Sequence, residues 1–316
     1  MTATGCKLTV GRTEVNTCET TPWCRTAWGT LGIAVVALAL AWPVAAADAP
    51  AVLRVCGDPD NLPFSNAKSE GYENKIAEVI AQDLGMKLEY FWWPHQRGLV
   101  RNTLAAGTCD VLISIPKGFD PVLWTKPYYR SSYVFAQLST NGAKVTSLDD
   151  PALKKLKIGT YVGSPPFDAL AERGLAANLT TYTLFFDPRV TDDARRPIKL
   201  LEDVITGDLD VAIAWGPMAG YFAKTKAAGS TLTLSPLADD RVVPMTFEFS
   251  MGVRKGEQAL KQQLEQALDR RRAEVTKILD DYGVPLLPLK PPAPPGEGKG
   301  SDKAPEPPGA HHHEKQ

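Results

Sequence analysis

Two stretches of the sequence decide the fold class: Leu53-Arg-Val-Cys-Gly-Asp-Pro59 and the segment Tyr72–Leu84 that follows it. The first is a short apolar run that ends in turn residues, which is typical of a buried strand. The second places four apolar residues on one face at the 3.6-residue period of a helix. These residues are Ile76, Val79, Ile80 and Leu84. A further strand at 88–93 completes a β-α-β order, which predicts parallel strands with helices on the faces of one sheet.

The same alternation continues outward to residue 284 and divides into two groups. We predict helices at 98–106, 166–173, 198–205 and 257–282, and strands at 110–115, 132–138, 157–161, 183–186, 210–214 and 247–254. The last strand and helix are expected to return to the first group, which makes two connecting strands a hinge. The sequence therefore predicts an α/β protein of two lobes, with lobe one at 48–138 plus 239–284 and lobe two at 139–238. Arg270-Arg271-Arg272 in the final helix is interpreted as a solvated face.

Both ends of the chain are predicted to lie outside this fold. An apolar run from Leu31 to Trp42 is preceded by Arg25 and followed by Ala45-Ala46-Ala47, the pattern of a secretory signal peptide over 1–47 that is cleaved near Ala47. The run is too short to span a membrane, so we expect no stable membrane insertion. Residues 285–316 are rich in Pro, Gly, Lys and Glu and are expected to be a disordered tail. Its His311-His312-His313 lacks the fixed geometry of a metal site, and no metal site is predicted.

Composition narrows the class of function. The 316 residues are 44% hydrophobic and carry Lys+Arg 35 against Asp+Glu 36, a net charge of -1. This balance disfavours nucleic acid and acidic membrane surfaces as partners. We expect an exported, periplasmic protein that is monomeric.

Signal cleavage would leave Cys56 and Cys109 as the two cysteines of the mature chain. An oxidising compartment favours a disulfide between them, whereas two buried thiols are the alternative. If Asp58 and Ser114 stand level at the strand tips, Cys56 faces about Leu112. Cys109 would then lie three residues, or ~10 Å, back along the sheet, too far for a bridge. The sequence alone leaves this question open.

Ligand sites in open α/β sheets lie just beyond the carboxyl ends of the strands. Twelve residues at such positions are the candidates for binding a ligand or partner in the cleft. In lobe one they are Asp58, Asp60, Phe64, His95, Arg97, Ser114 and Lys117, and in lobe two they are Tyr161, Ser164, Asp187, Arg189 and Trp215.

Several of these candidates have a plain structural alternative. Asp58 and Asp60 flank Pro59 and could serve only the turn. A lone His95 is typical of a hydrogen-bonded surface position rather than a metal ligand. Asp187 and Arg189 could form a loop salt bridge of little energetic value.

Many separate motifs lie in order along the two predicted lobes. The motifs in the first lobe are Val55-Cys-Gly-Asp-Pro-Asp-Asn-Leu-Pro-Phe-Ser65, Trp92-Trp-Pro-His-Gln-Arg-Gly98, Gly107-Thr-Cys-Asp-Val111 and Pro127-Tyr-Tyr-Arg130. The motifs in the second lobe are Phe186-Asp-Pro-Arg-Val190, Ala194-Arg-Arg196, Val211-Ala-Ile-Ala-Trp-Gly-Pro217 and Ala219-Gly-Tyr-Phe222. Together, and in this order, these motifs resemble the quinoprotein-dehydrogenase-associated periplasmic binding proteins of the MxaJ and XoxJ type. The resemblance covers nearly all of the predicted ordered chain and implies a type II periplasmic binding protein fold.

The resemblance also implies a role. Such proteins assist the assembly or activation of a methanol dehydrogenase that carries pyrroloquinoline quinone (PQQ), together with its cytochrome c. The lanthanide type of dehydrogenase is favoured over the calcium type because that branch is the more widespread. No catalytic residue and no cofactor of its own are expected for this chain.

A solute receptor of a transporter is the alternative reading. Receptors of this fold that bind amino acids resemble one another in an Arg after the third strand and an acid in lobe two. Here the segment after strand three is Ser114-Ile-Pro-Lys-Gly-Phe-Asp-Pro121, and Trp215 takes the place of the acid. A receptor of this kind would therefore bind a small molecule other than an amino acid. A third class, the few dehydratases that share the fold, would need a positioned general acid.

Overall fold

The computed structural model of the protein describes residues 51–140, 144–183, 197–225 and 231–291. The predicted signal peptide at 1–47 lies outside the described residues. So do the predicted site residues Asp187 and Arg189 and the tail beyond residue 291 with its three histidines.

Strands and helices alternate along these ranges. The strands are β1 (Val52–Gly57), β2 (Asp60–Asn61), β3 (Ser65–Asn66), β4 (Lys87–Trp92), β5 (Val111–Pro116), β6 (Leu123–Trp124), β7 (Tyr129–Leu138), β8 (Ile158–Tyr161), β9 (Leu179–Tyr182), β10 (Val211–Trp215), β11 (Leu232–Pro236) and β12 (Thr246–Val253). The helices are α1 (Tyr72–Leu84), α2 (Leu99–Asn102), α3 (Pro165–Glu172), α4 (Lys199–Thr206), α5 (Gly216–Thr225), α6 (Gln258–Arg270) and α7 (Arg272–Asp281). Two 3₁₀ turns lie at Pro151–Lys155 and Ala176–Asn178.

The strands form one hydrogen-bonded path in the order β4-β1-β5-β12-β7-β10-β8-β9. On one side of the path β1 is parallel to β4 and β5, and on the other β8 is parallel to β9 and β10. The parallel pairs confirm the β-α-β alternation predicted from the sequence. Strands β7 and β12, which join the two groups, are antiparallel to each other.

The hinge consists of the facing parts of β7 and β12. Residues 129–132 of β7 pair with residues 246–249 of β12. The rest of β7 pairs with β10 and β11, whereas the rest of β12 pairs with β5 and β6. Each strand thus belongs to both halves of the molecule, and we refer to the β1 side as lobe one and the β8 side as lobe two.

Each lobe has its own hydrophobic core. In lobe one, helices α1, α6 and α7 cover the sheet with Ile76, Ile80, Leu264 and Leu279. In lobe two, α4 and α5 cover it with residues such as Leu201 and Phe222. The precise lobe boundaries given above remain a prediction.

Helix α1 agrees with the sequence prediction at both ends. The Asn74 side chain accepts a hydrogen bond from the backbone N–H of Gly71 at 3.0 Å and so fixes the first turn. Gly85 ends the helix in the left-handed conformation, at φ 64°, which glycine adopts without steric cost. The first turn of α1 therefore lies at the carboxyl end of β1, where the site is expected.

The single helix predicted over 257–282 is wrong, because the structure breaks it at Arg271 between α6 and α7. The interpretation of the arginine run as a solvated face is confirmed for Arg270 and Arg272, which are exposed, whereas Arg271 is half-buried. Arg270 and Arg271 both donate to the carboxylate of Asp83, at 2.5 Å and 2.8 Å, and Asp83 is 7% exposed. These hydrogen bonds, Arg270 first, lower the pKa of Asp83. The break directs both guanidinium groups to the end of α1.

Three further elements differ from the prediction. The helix expected at 98–106 is only α2, because the Thr103 hydroxyl donates to the carbonyl of Leu99 and the chain then turns. The structure has strand β9 at Leu179–Tyr182, which was not predicted, and residues 184–186 of the strand expected at 183–186 lie outside the described residues. Helix α5 was not predicted, since Gly216, Pro217 and Gly220 are poor helix formers.

The prediction of a disordered tail from residue 285 is wrong for residues 285–290. Residues 285–290 are hydrogen-bonded to the hinge, and Leu286 packs against the lobe-one core. The proline content of this segment favours exposure. Composition alone does not show that the leucines between the prolines can still pack, as Leu286 does. Beyond residue 291 the prediction lies outside the described residues.

Cys56 and Cys109 are joined in a disulfide, with their Cα atoms 5.4 Å apart. Val55 faces Val111, so the register inferred from the strand tips is confirmed. The inferred separation of Cys109 from the residue opposite Cys56, ~10 Å, is wrong. It assumed that the strand extends back to Cys109, whereas β5 begins only at Val111. Cys109 lies before the strand, where Arg254 holds its carbonyl at 2.5 Å, and the chain does not continue back along the sheet.

We expect replacement of both Cys56 and Cys109 by serine to lower the free energy of unfolding by about 4 kcal/mol, because the bridge closes a loop with a sequence separation of 53. Urea unfolding of protein that lacks residues 1–47 measures this loss. Addition of reductant should shift the unfolding midpoint of the parent protein and leave that of the double variant unchanged. An unaltered midpoint of the parent protein in reductant would contradict the bridge.

Candidate functional site

Asp58 joins two loops at the carboxyl edge of the lobe-one sheet. One carboxylate oxygen accepts the backbone N–H of Asp60 at 2.9 Å, and the other accepts that of His95 at 2.5 Å. Ser65 binds the backbone N–H and carbonyl of Asp58 through its hydroxyl. Asp58 therefore has the turn role that the sequence left open, and it also sets the position of the loop that carries His95.

Three of the predicted site residues are exposed on two adjoining loops, the loop after β4 and the loop after β1. His95 and Arg97 are exposed, as is Asp60 on the adjoining loop. Desolvation lowers the pKa of His95 although part of its surface is open, and the Asp58 charge opposes this effect. Partial exposure together with desolvation is expected for a group on the wall of a concave surface.

Glu73 is a site residue that the sequence reasoning missed. It lies in the first turn of α1 and is half-buried. Desolvation raises the pKa of Glu73 from 4.5 to about 8, a hydrogen bond from Ser114 opposes the rise, and the Asp58 charge adds to it. The signal in the sequence is an acidic residue in the first turn of α1, but apolar periodicity accounts for this segment as an amphipathic helix and does not single that residue out.

Ser114 and Tyr128 lie close to Glu73, and we call these three residues together with Asp58 the polar floor of lobe one. The Ser114 and Tyr128 hydroxyls are 2.9 Å apart, and the Tyr128 hydroxyl donates to the carbonyl of Ile113. The prediction that Ser114 stands just after the strand is wrong, because β5 extends to Pro116 and Ser114 lies within it, where it is partly exposed. Lobe one thus brings Asp58, Glu73 and Ser114 together at one edge of its sheet.

Lys117 is directed at the hinge. Its ammonium donates to Glu248 on β12 at 2.9 Å, and its backbone N–H donates to the Glu248 carbonyl. Glu248 is almost fully buried. Removing Lys117 from this pair to bind a ligand would leave a buried carboxylate without one of its partners.

The described lobe-two candidates are buried in the structure. Tyr161 is fully buried and its hydroxyl donates to the carbonyl of Pro197, while the Ser164 hydroxyl donates to the carbonyl of Tyr161. Trp215 is 8% exposed. These three side chains support the fold of lobe two and do not offer polar groups to a ligand.

A continuous row of aromatic rings connects the two lobes through the hinge. Phe64 contacts Tyr72 at 5.5 Å, Tyr129 stacks on Phe249 at 4.8 Å, and Trp215 lies 5.6 Å from Phe249. Tyr72 and Tyr129 join the row with hydroxyls 3.2 Å apart. Phe64 packs against both hydrophobic cores. Two predicted site residues, Phe64 and Trp215, therefore belong to this row.

The geometry agrees with the absence of an amino-acid clamp. The lysine after β5 is bound to Glu248, and the end of β10 presents a tryptophan among aromatic rings. Among the described residues, no three His, Cys, Asp or Glu side chains are arranged to hold a metal ion. Within the same ranges, no helix has the length and apolar character needed to cross a bilayer.

This fold and this site define a class, the two-lobed periplasmic binding proteins with a curled, mixed α/β sheet. The model of the bacterial extracellular solute-binding proteins, family 3, matches residues 53–284. The chain belongs to that family and, within it, to the MxaJ and XoxJ type. Family membership implies a periplasmic location.

Three relatives are similar over most of the chain. Protein MoxJ of Methylorubrum extorquens is 32% identical over 249 residues, 75% of this chain and 82% of the relative. The crystal structure of periplasmic binding protein XoxJ from Methylobacterium extorquens AM1 is 37% identical, covers 75% of this chain and 100% of its own, and has a TM-score of 0.63. That of MxaJ from Methlophaga aminisulfidivorans MPT is 30% identical, covers 74% and 100%, and has a TM-score of 0.67.

The raised pKa of Glu73 predicts a pH dependence of stability. Because the pKa is higher in the folded protein than in the unfolded chain, the stability it confers is present below about pH 4.5 and is lost as the pH rises to about 8. Glu73→Gln, which stays neutral, should be more stable than the parent protein above about pH 8, and the difference should shrink toward about pH 4.5. Thermal unfolding across this range measures it.

Glu78→Gln, at an exposed position on the same helix, is the control and should follow the parent protein at each pH. Parallel curves for Glu73→Gln and the parent protein would show that Glu73 is not desolvated.

Proposed function

We propose that the protein is a non-enzymatic periplasmic accessory protein that binds a PQQ-dependent methanol dehydrogenase and assists its assembly or activation with its cytochrome c. The observation that carries the proposal is the 37% identity to XoxJ over that protein's whole length. The quinone and the metal belong to the dehydrogenase, and this chain contributes a binding surface. The signal peptide at 1–47, cleaved near Ala47, is part of the proposal because the partner is periplasmic.

The state of the candidate cleft supports a protein partner over a small solute. Asp58 and Lys117 are engaged with the chain itself, and the described lobe-two candidates are buried. His95, Arg97 and Asp60 remain exposed at the rim. Exposed charges at a rim steer association and fix the register of a protein complex.

We favour the lanthanide type of dehydrogenase as the partner. This preference rests on the resemblance given above, because the lanthanide branch is the more widespread. Purified lanthanide and calcium dehydrogenases, each immobilised and tested against this protein, distinguish the two. Tighter binding to the calcium enzyme would reject this preference and leave the accessory role intact.

Charge reversal at the rim should weaken the complex. We expect Arg97→Glu to raise the dissociation constant for the dehydrogenase about 10-fold, because Arg97 is exposed beside His95 at the candidate cleft. Surface plasmon resonance with immobilised dehydrogenase measures this change.

Arg272→Glu is the matched control. Arg272 is exposed and lies at the start of α7, next to the residues that bind Asp83 at the far end of α1. Ten residues of helix separate Glu73 from Asp83, or ~15 Å. Equal losses in both variants would argue against a cleft-directed complex.

A solute receptor is the second candidate function. The observation that favours it is the desolvated carboxyl of Glu73 in the polar floor of lobe one. We expect no amino acid to raise the melting temperature in a thermal shift panel, since the Arg and acid of the clamp are missing. A ligand at 100 times its dissociation constant would stabilise the fold by ~2.7 kcal/mol, which is easily seen. A clear shift with any amino acid would favour the receptor over the accessory protein.

A further inference from the structure

The segment 283–290, which we call the strap, leaves lobe one at the end of α7 and lies against lobe two. A Cβ placed on Gly220 of α5 would stand 1.8 Å from the carbonyl oxygen of Gly283. A Cβ on Gly216, one turn earlier on the same helix face, would stand 2.4 Å from the Ser132 carbonyl oxygen of β7 and 3.2 Å from the Pro285 side chain. The backbones of α5 and the strap therefore touch directly at Gly220, and only glycine at that position allows it.

The ends of the two helices are joined beside this contact. Tyr221 of α5 and Tyr282 after α7 stack with their ring centroids 5.9 Å apart. The Lys224 ammonium donates to the carbonyl of Asp280 at 2.8 Å. Because α7 packs in lobe one and α5 in lobe two, these contacts tie the lobes together outside the hinge strands.

The strap then runs along the hinge part of β7. The Ser131 hydroxyl donates to the carbonyl of Pro285 at 2.8 Å, and the backbone N–H of Leu287 donates to the carbonyl of Arg130 at 2.9 Å. The Arg130 guanidinium donates to the carbonyl of Pro288. Arg130 and Ser131 are the residues of β7 that pair with β12, so the hinge has a third hydrogen-bonded segment.

Charges hold the far end of the strap. The backbone N–H of Lys290 donates to Glu248 at 2.7 Å, and the other oxygen of Glu248 binds Lys117. The Lys290 ammonium lies 3.6 Å from Asp239. Glu248 is 9% exposed, so these partners are needed to compensate the buried charge.

We propose that the strap is a brace that restricts rotation of the lobes about the hinge and holds the cleft at one opening angle. Hinge closure in two-lobed proteins requires backbone rotation at a few residues of the connecting strands. Here those residues are bonded to the strap, and the strap is seated on α5, so closure would break both sets of contacts. A fixed angle lowers the ordering cost of binding a large partner. The brace does not depend on which partner binds.

Pulsed electron–electron distance measurements on the full chain test this inference. Glu78→Cys on α1 and Asp208→Cys after α4 are exposed positions in the two lobes for spin labels. Cys56 and Cys109 are bridged, and Cys6, Cys18 and Cys24 are replaced by serine in every variant so that only the two introduced cysteines are labelled. The parent protein should give one narrow distance distribution. Leu287→Pro removes the N–H that binds Arg130 and should broaden this distribution. Leu289→Pro introduces proline two residues later, at an exposed position, and should leave it narrow.

A milder variant covers the case in which Leu287→Pro does not fold. Ser131→Ala removes only the bond to Pro285, and amide exchange in residues 129–132 should become about 5-fold faster. A distribution as narrow in Leu287→Pro as in the parent protein would overturn the brace. Unchanged exchange in Ser131→Ala would overturn it as well.

Discussion

The pairing of residues 129–132 with residues 246–249 is the constraint on which the rest of the structure depends. Strand β7 continues from it into lobe two, and strand β12 continues from it into lobe one. Each lobe thus receives a central strand from the hinge, and each core packs on that strand. The aromatic row through Tyr129, Phe249 and Trp215 fills the space behind the pairing. Disruption here would therefore affect both lobes at once.

The same constraint explains the character of the candidate site. Glu248 lies in the hinge and binds Lys117, which removes the cation after β5 from the set available to a ligand. Trp215 ends β10 inside the aromatic row, which removes the position of the lobe-two acid. Among the described candidates, Asp60, His95 and Arg97 remain exposed on the loops at the edge of the sheet where the carboxyl of Glu73 also lies. Such a surface suits a partner that makes many shared contacts better than a solute that needs a few strong ones.

The fold was largely predictable from sequence, and the site only partly. Helix α1 and strands β1 and β5 follow from apolar periodicity, which acts within one segment. The break at Arg271 depends on Asp83, 188 positions earlier in the chain, and the strap depends on Gly220. The Cys56–Cys109 bridge was left open because the path of the chain before β5 is a tertiary feature. Glu73 was missed for a similar reason, since its burial and its neighbours Ser114, on β5, and Asp58, on the loop after β1, are tertiary features. Contacts between distant segments leave no local pattern to read.

The central claim is that the cleft between the lobes is the surface that meets a methanol dehydrogenase. Hydrogen–deuterium exchange of this protein, alone and with the purified quinoprotein, tests it most directly. The account predicts slower exchange in the complex at the loops 58–64 and 95–101 of lobe one, with the far ends of α1 and α6 unchanged. Protection confined to those far ends, or none at all with the dehydrogenase at saturating concentration, would contradict it.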